Sequence, residues 1–337
     1  MSPMKQIYSN FFFWPVLISF LIFISIGWQM GLTAFFLVVI LSILEVTLSF
    51  DNAVVNARVL KRMSPIWQRR FLTWGILIAV FGTRFILPII IVSVAVLASP
   101  IYITKLAFTN PEEYSRLLDG VHASITAFGG IFLLMVSLKF FFDKAKSVHW
   151  IRVVEEHLVR WGNIEAIEVA IALSLLLTMS FLTHYDQASV LIAGIVGLVL
   201  FIIMEGVAGS LSIESKDIAI GGATLFIYLN ILDSAFSLDG VIGAFALTNN
   251  LVIIMVGLGI GAFFVRSFTI YMVQKNTLAE LVYLEHGAHW AILGLSTMML
   301  ANLLVHVPEV IIGLIGLCFV LLSYYSSISE RKRKMHN

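Results

Sequence analysis

Long apolar runs separated by short polar or charged stretches dominate this chain of 337 residues. A membrane-spanning helix needs about 20 predominantly apolar residues, and ten runs approach or exceed that length. We predict spans at residues 11–28, 31–57, 71–97, 122–142, 165–183, 187–206, 219–247, 250–273, 287–305 and 308–326. The pattern therefore predicts an all-α, polytopic membrane protein with about ten transmembrane helices.

Composition agrees with this pattern. The chain is 60% hydrophobic and 12% charged, whereas soluble domains carry about 25% charged residues. Its formal net charge of +1 gives no argument for a nucleic-acid partner. The single cysteine, Cys318, excludes an internal disulfide and a cysteine-rich metal site. Residues 11–27 resemble a signal peptide, but no small-residue cleavage site follows, so we predict a retained first helix.

The loops alternate in basic content, which predicts an orientation. Basic residues cluster after spans two, four and eight and at the end of the chain, whereas the alternate loops are short or acidic. By the positive-inside rule, both termini are cytoplasmic. The basic tail, Arg331–Lys334, fits contact with anionic lipids.

Two of the predicted spans carry the same acidic signature. The first reads Glu45-Val-Thr-Leu-Ser49-Phe-Asp51-Asn52, and the second reads Asp233-Ser-Ala-Phe-Ser237-Leu-Asp239-Gly240. Acids inside a membrane are costly and mark functional sites by default. Their repetition indicates a cation site shared between two halves of a transporter.

The signatures lie five spans apart and therefore have opposite topology. The spans that follow them also match, since Gly75–Arg84 aligns with Gly257–Arg266 and each ends on one arginine. This predicts two inverted three-helix repeats, spans 2–4 and 7–9, an architecture common among secondary transporters. We divide the chain into an N-terminal helix (1–30), repeat 1 (31–142), a connector with spans 5–6 (143–206), repeat 2 (207–305), and a last helix with a basic tail (306–337).

The candidate ligands are all oxygen atoms. They belong to Glu45, Ser49, Asp51, Asn52, Asn230, Asp233, Ser237 and Asp239. Oxygen ligands suit hard divalent ions such as Mn²⁺, Mg²⁺ or Ca²⁺, and no His or Cys in the signature favours zinc or copper. Arg84 and Arg266 are candidates for gating or for balancing the excess negative charge. In the competing interpretation, the acids pair with these arginines only to lock helices together.

Helical geometry sets a condition on this site. Positions i and i+6 point about 120° apart on a regular helix, so Glu45 and Asp51 cannot both face one ion in a straight span. The same holds for Asp233 and Asp239. Convergence of the acids therefore requires local unwinding, which membrane proteins tolerate where a helix lines a cavity.

Other polar residues lie near the predicted ends of spans. We expect Lys139, Asp143, Glu168 and Glu205 to contact headgroups or solvent there. Glu285, His286 and His289 form a compact polar group near the start of span nine, where a proton relay or an inner vestibule is an alternative to plain solvation.

At Glu45–Asn52 the chain resembles the TerC family of integral membrane proteins, within the LysE superfamily of exporters. Phe81–Arg84 and the Ser237–Gly240 echo also carry the likeness, which covers roughly residues 31–326. The resemblance implies a bacterial inner-membrane protein, Mn²⁺ efflux and metal supply to secreted proteins, with Glu45, Asp51, Asn52, Asp233 and Asp239 as metal-coordinating residues. Gly240 stands where the first signature has Asn52, so the two halves are chemically unequal.

The leading interpretation is a non-enzymatic transporter that exports a divalent cation, with Mn²⁺ favoured and proton exchange as a driving force. It needs no tightly bound cofactor, and its partners are the bilayer, the cation and protons. One alternative is an exporter of a small cationic or zwitterionic solute. Two others are an intramembrane aspartyl protease, using Asp51 and Asp239, and a non-transporting subunit that docks on secretion machinery.

Overall fold

The computed structural model of the chain describes residues 12–146, 148–164, 166–214, 218–305 and 307–336. That description leaves out some side chains within the helices, at positions 72, 207–214, 218–221, 238, 239, 242, 246, 279, 309, 310, 312, 313 and 334–336. Every regular element in the described ranges is helical, which confirms the all-α prediction for them. The α-helices are α1 (Phe13–Leu48), α2 (Phe50–Leu60), α3 (Pro65–Leu77), α4 (Leu87–Ala95), α5 (Pro100–Thr109), α6 (Pro111–Gly120), α7 (His122–Phe141), α8 (Arg152–Trp161), α9 (Ile167–Leu182), α10 (Gln187–Glu214), α11 (Ile218–Leu247), α12 (Leu251–Gln274), α13 (Thr277–Glu280), α14 (Leu284–Asn302) and α15 (Glu309–His336).

Among the described residues, five helical stretches are long and apolar enough to cross a membrane, by length and composition. They are Phe13–Leu48, Pro65–Ala95, His122–Phe141, Gln187–Gly206 and Leu251–Gln274. Helix α9 is a shorter apolar helix of the same character. Several helices of this kind are typical of a multi-pass membrane protein.

Helix α1 contains a sharp reversal at Gly31. This residue has φ 86° and ψ 174°, outside the helical region and favourable for a residue without a Cβ. The rings of Phe23 and Phe35 lie 6.0 Å apart, whereas twelve residues of straight helix would separate them by about 18 Å. The chain therefore folds back on itself close to the predicted boundary between spans one and two.

The stretch Pro65–Ala95 is one continuous helical run with a change of geometry in its middle. A π-helical segment, Ile78–Ile86, joins α3 to α4. Segments of π-helix are rare and frequently found at functional sites. This one contains Arg84, whose Nη1 donates to the carbonyl oxygen of Ala79 at 2.6 Å.

Two connections that we expected to be loops contain helices instead. Ser99 and Asn110 accept hydrogen bonds from the backbone N–H groups of Tyr102 and Glu113 and so begin α5 and α6. A proline follows each of these caps, at a position where its missing N–H costs nothing. These short local signals were present in the sequence but were overshadowed by the membrane-scale pattern.

The second of these connections, the basic one between α7 and α9, contains helix α8. Glu155 on this helix is completely buried. Its carboxylate accepts hydrogen bonds from His286 Nδ1 at 2.8 Å and from Trp290 Nε1 at 3.0 Å. The ammonium of Lys146 lies 3.6 Å away. These contacts fasten α8 to α14.

The core is organised around α7 and the pair α1–α12. Helix α7 is apolar on all sides and buried over most of its length, between α10 and α14. Helix α12 packs along α1 through glycines. A Cβ at Gly261 would lie 2.9 Å from the Ser42 carbonyl oxygen and would also collide with Glu45. Small residues permit this close approach of membrane helices, and here they bring α12 against the first signature.

Candidate functional site

The first signature lies at a break between two helices. Helix α1 ends at Leu48, Ser49 has φ −103° and ψ 11°, and α2 begins at Phe50. Glu45, Ser49, Asp51 and Asn52 are all buried, each 5% exposed or less. The hydroxyl of Ser49 donates to Glu45 Oε1 at 2.8 Å. The irregularity is confined to Ser49, because the backbone N–H groups of Ser49 and Ala53 still donate to the carbonyl oxygens of Glu45 and Ser49, and the helical hydrogen bonds continue across the break.

Arg84 neutralises the first of these acids. Its Nη2 forms an ion pair with Glu45 Oε1, and both side chains are almost completely buried, at 2% and 1% exposure. The π-helical segment around Arg84 sets the direction from which the guanidinium reaches α1. A buried charge is tolerated only when it is paired and hydrogen-bonded, and this pair meets that condition.

The second signature lies within an unbroken helix. Helix α11 runs from Ile218 to Leu247 without interruption, so the unwinding that convergence of its two acids would require is absent. Asp233 pairs with Arg266 Nη2 at 3.0 Å. The Arg266 guanidinium also lies over the Phe71 ring, 4.2 Å from its centroid. The side chain of Asp239 is outside the described residues.

The two signatures contact each other directly. Asn52 Nδ2, on the first, donates to Asp233 Oδ1, on the second, at 2.9 Å. A Cβ at Gly240, on the second, would lie 3.5 Å from Glu45 Oε2, on the first. The hydroxyls of Thr83 and Ser234 lie 3.3 Å apart beside this contact. The fold thus brings together residues far apart in the chain into one buried cluster.

Within the described residues, several oxygen atoms in and beside this cluster lack a hydrogen-bond partner. They are Asn52 Oδ1, Asn56 Oδ1, Asn230 Oδ1 and Ser237 Oγ. Buried polar atoms of native proteins are nearly always paired, so unpaired oxygens call for an explanation. The amide oxygens can only accept hydrogen bonds or coordinate a cation. The arrangement therefore has the chemical character of an oxygen-donor site.

The buried charges do not balance. Glu45 and Asp233 are each held by one arginine, whereas Asp51, at 3% exposure, forms no ion pair within the described part of the chain. An unpaired carboxylate in a buried site attracts a cation or a proton. Among the described residues, however, no group of three or more His, Cys, Asp or Glu side chains is gathered closely enough to hold a metal ion.

Comparison with known proteins gives a family. Residues 50–334 match the model of the family described as Protein of unknown function (DUF475). The chain belongs to the DUF475 family. The match includes Asp51, Asn52 and the whole second signature, while Glu45 and Ser49 lie just before it. No curated protein matches this DUF475 chain, and no solved structure does either.

The fold brings most of the predicted site residues into contact but leaves some apart. Glu45, Ser49 and Arg84 form one connected group, and Asn52, Asp233 and Arg266 form the other. Asn230 instead donates to the Phe226 carbonyl oxygen at 2.7 Å, along its own helix. Within the described residues, Ser237 has no hydrogen bond to the cluster.

Sequence reasoning missed Thr83, Ser234 and Asn56. Thr83 and Ser234 adjoin predicted site residues, Arg84 and Asp233, but ordinary packing explains a small polar residue in a membrane helix equally well. Asn56 follows Asn52 by four residues and so lies on the same helix face. That spacing was the signal that would have found it.

Proposed function

We propose that this DUF475 protein is a secondary transporter that exports a divalent cation, with Mn²⁺ as the favoured cargo and Mg²⁺ or Ca²⁺ as alternatives. The observation that carries the proposal is the buried contact between the two signatures. There, Glu45 and Asp233 are held by arginines, while among the described residues the Asp51 carboxylate has no ion-pair partner and the Asn52 side-chain oxygen has no hydrogen-bond partner. Hard divalent ions prefer this kind of oxygen donor.

The proposed architecture is ten spans with two inverted repeats. Aligning the signatures makes Glu45 equivalent to Asp233 and Asn52 equivalent to Gly240. The contact between Asn52 and Asp233 and the contact between Gly240 and Glu45 then join equivalent positions, with the roles of the two repeats exchanged. Such reciprocity is what a pseudo-two-fold axis between the repeats produces.

Helix packing supports the same architecture. Helix α12 of the second half packs on α1 of the first, and α11 of the second half packs on the π-helical segment of the first. Helices α7 and α14, the third members of the two proposed repeats, pack on each other. Exchanging the two repeats turns the first of these packing pairs into the second and leaves the third pair unchanged, as a two-fold relation between the repeats requires.

The proposed mechanism is competition between the cation and the arginines. Glu45 and Asp233 are paired with Arg84 and Arg266 in the described conformation. A divalent cation at Asp51 would draw these carboxylates towards itself and release the guanidinium groups. When the cation leaves, the acids return to the arginines or take up protons, which links export to proton exchange.

The resemblance to the TerC family leads to the same cargo and to a location in a bacterial inner membrane with both termini in the cytoplasm. The basic loops support that orientation. Docking on secretion machinery remains compatible with the transporter proposal, because a partner would use surfaces remote from the buried cluster.

The test is manganese export by the full-length chain. Cells that express it are loaded with Mn²⁺, and cellular manganese is measured for the wild type and for Asp51→Asn. We expect the wild type to lower cellular manganese and the variant to lose that effect, since the amide carries no charge to attract the ion. Asp119→Asn is the matched control, because Asp119 is exposed on α6 and the same substitution should change nothing.

Purified protein in liposomes separates the cargo from the site. If Mg²⁺, Ca²⁺ or an amino acid crosses in place of Mn²⁺ and Asp51→Asn abolishes that flux, the site is correct and the cargo differs. If no solute is moved and Asp51→Asn behaves like the wild type, the transporter proposal is wrong and the acids only lock helices.

A further inference from the structure

A large cavity with charged walls lies at one end of the helices. The basic connections lie at the same end. Its volume is about 740 Å³, within the range of small-molecule sites. The ends of α2 and α7, the start of α9, and parts of α10 and α11 form its walls. None of the described side chains of the proposed cation site lines it, so it is a separate feature.

The walls carry charges of both signs, most of which form no ion pair within the described residues. Six charged side chains line the cavity without an ion pair inside the described part of the chain: Arg62, Lys139, Asp143, Lys144, Glu168 and Glu205. Arg58 also lines it but is already paired with Glu285. Three cations and three anions held apart around one space are complementary to a ligand that carries both signs.

A second cavity extends this space towards the outer surface of the helices. It has a volume of about 340 Å³ and shares Lys139, Glu168 and Glu205 with the first. Its own walls include Ile164 and Ile202, which are 57% and 46% exposed. Ile202 lies on α10 in the apolar stretch Gln187–Gly206, whereas Ile164 lies in the connection before α9. The charged space therefore adjoins exposed apolar side chains.

We propose that these joined cavities bind the phosphoethanolamine headgroup of a membrane lipid. The phosphate lies among Arg62, Lys139 and Lys144, and the primary ammonium lies among the carboxylates. The acyl chains start beside Ile164, in the connection before α9, and follow the apolar surface beside Ile202 on the outside of α10. The site is a structural lipid site at the membrane surface, and the inference stands whether or not the chain exports a cation.

The chemistry of the walls selects this headgroup over the other common ones. A choline headgroup has no N–H to donate to Glu168 or Glu205, so their charged hydrogen bonds would be lost. A glycerol headgroup leaves both carboxylates without a cation beside a phosphate that repels them. A free zwitterion would satisfy the charges but would leave the apolar extension unused.

The experiment measures lipid retention by the full-length protein. The chain is purified in detergent with equal amounts of phosphatidylethanolamine, phosphatidylcholine and phosphatidylglycerol, and bound lipids are counted by native mass spectrometry. We expect phosphatidylethanolamine to exceed phosphatidylcholine about tenfold, which corresponds to about 1.4 kcal/mol. Glycerophosphoethanolamine, added in excess, tests whether a soluble headgroup alone competes.

Two double variants test the walls. Lys139→Gln with Glu205→Gln removes one charge of each sign from the cavity, and the preference for phosphatidylethanolamine should fall at least threefold. Lys105→Gln with Glu112→Gln is the matched control, because these two exposed residues on α5 and α6 lie outside both cavities. Glu205→Gln alone is the milder variant should the double variant not yield folded protein.

Each outcome decides the proposal. Equal retention of the three lipids, or a preference that survives the cavity variant, overturns it. Displacement of the lipid by soluble glycerophosphoethanolamine at matched concentration overturns the lipid assignment in favour of a free zwitterion. A preference lost in the cavity variant, kept in the control and resistant to the soluble headgroup supports it.

Discussion

Arg84 and Arg266 show how single residues decide whether buried acids can exist in this fold. Each guanidinium is 2% exposed, and each holds one carboxylate of a signature. Removing one partner of a buried pair leaves an uncompensated charge, which is far worse than removing both. Each arginine–carboxylate pair therefore stabilises the fold only while both of its partners are charged and present, whichever ion is transported.

Arg84→Gln should lower the free energy of unfolding by roughly 3–5 kcal/mol, because Glu45 is left buried and charged. Glu45→Gln with Arg84→Gln should restore most of that loss, since two neutral amides need no counter-charge. Thermal unfolding of the purified variants in one detergent measures both. A double variant no more stable than Arg84→Gln would contradict the pairing argument.

At the scale of elements, the irregular backbone segments distinguish the two halves of the chain. The break at Ser49, the π-helical segment around Arg84 and the reversal at Gly31 lie in the first half of the chain. Helix α11, which carries the second signature, is unbroken. The two halves therefore differ in backbone as well as in the exchange of Asn52 for Gly240.

Helix α8 offers a test of an element held by one side chain. Burial by itself raises the pKa of the Glu155 carboxyl, but hydrogen bonds from His286 and Trp290 and the charge of Lys146 outweigh it and lower the pKa to about 2. An unfolded glutamate has a pKa of about 4.3. The stabilisation is therefore present above about pH 4.3 and is lost as the pH falls towards 2.

Glu155→Gln should accelerate amide hydrogen exchange in α8 at pH 7 about tenfold or more, as expected for loss of charged hydrogen bonds. The wild type should show comparable opening only under strong acid. Glu156→Gln is the control, because that neighbour pairs only with the exposed Arg152 and should matter little. Equal exchange in the two variants would show that Glu155 does not hold α8.

At the scale of the whole molecule, the proposed orientation places the basic connections and both termini on one side. In a Cys318→Ser background, we expect Asn249→Cys to react with an impermeant thiol reagent on intact cells. Arg160→Cys, on α8, should react only after the cells are opened, because the two positions lie at opposite ends of the proposed spans. Labelling of both from the same side would contradict the ten-span topology.

The sequence by itself determined the helical class, the apolar stretches and three of the buried acids, Glu45, Asp51 and Asp233. These follow from local properties, since apolar length and the cost of intramembrane charge are written along the chain. The predicted segment at 122–142 and helix α7, His122–Phe141, nearly coincide for this reason. The short helices α5 and α6 were missed because caps and prolines are weak signals beside long apolar runs, and α8 begins without either signal.

Only the tertiary structure decided which groups meet. Glu45 had two candidate arginines, and the sequence could not choose between them. The π-helical segment turns Arg84 to Glu45, the glycines of α12 let that helix approach α1, and the crossing of α1–α2 with α11 joins Asn52 to Asp233. These are contacts between residues far apart in the chain, fixed by packing geometry that no local pattern encodes.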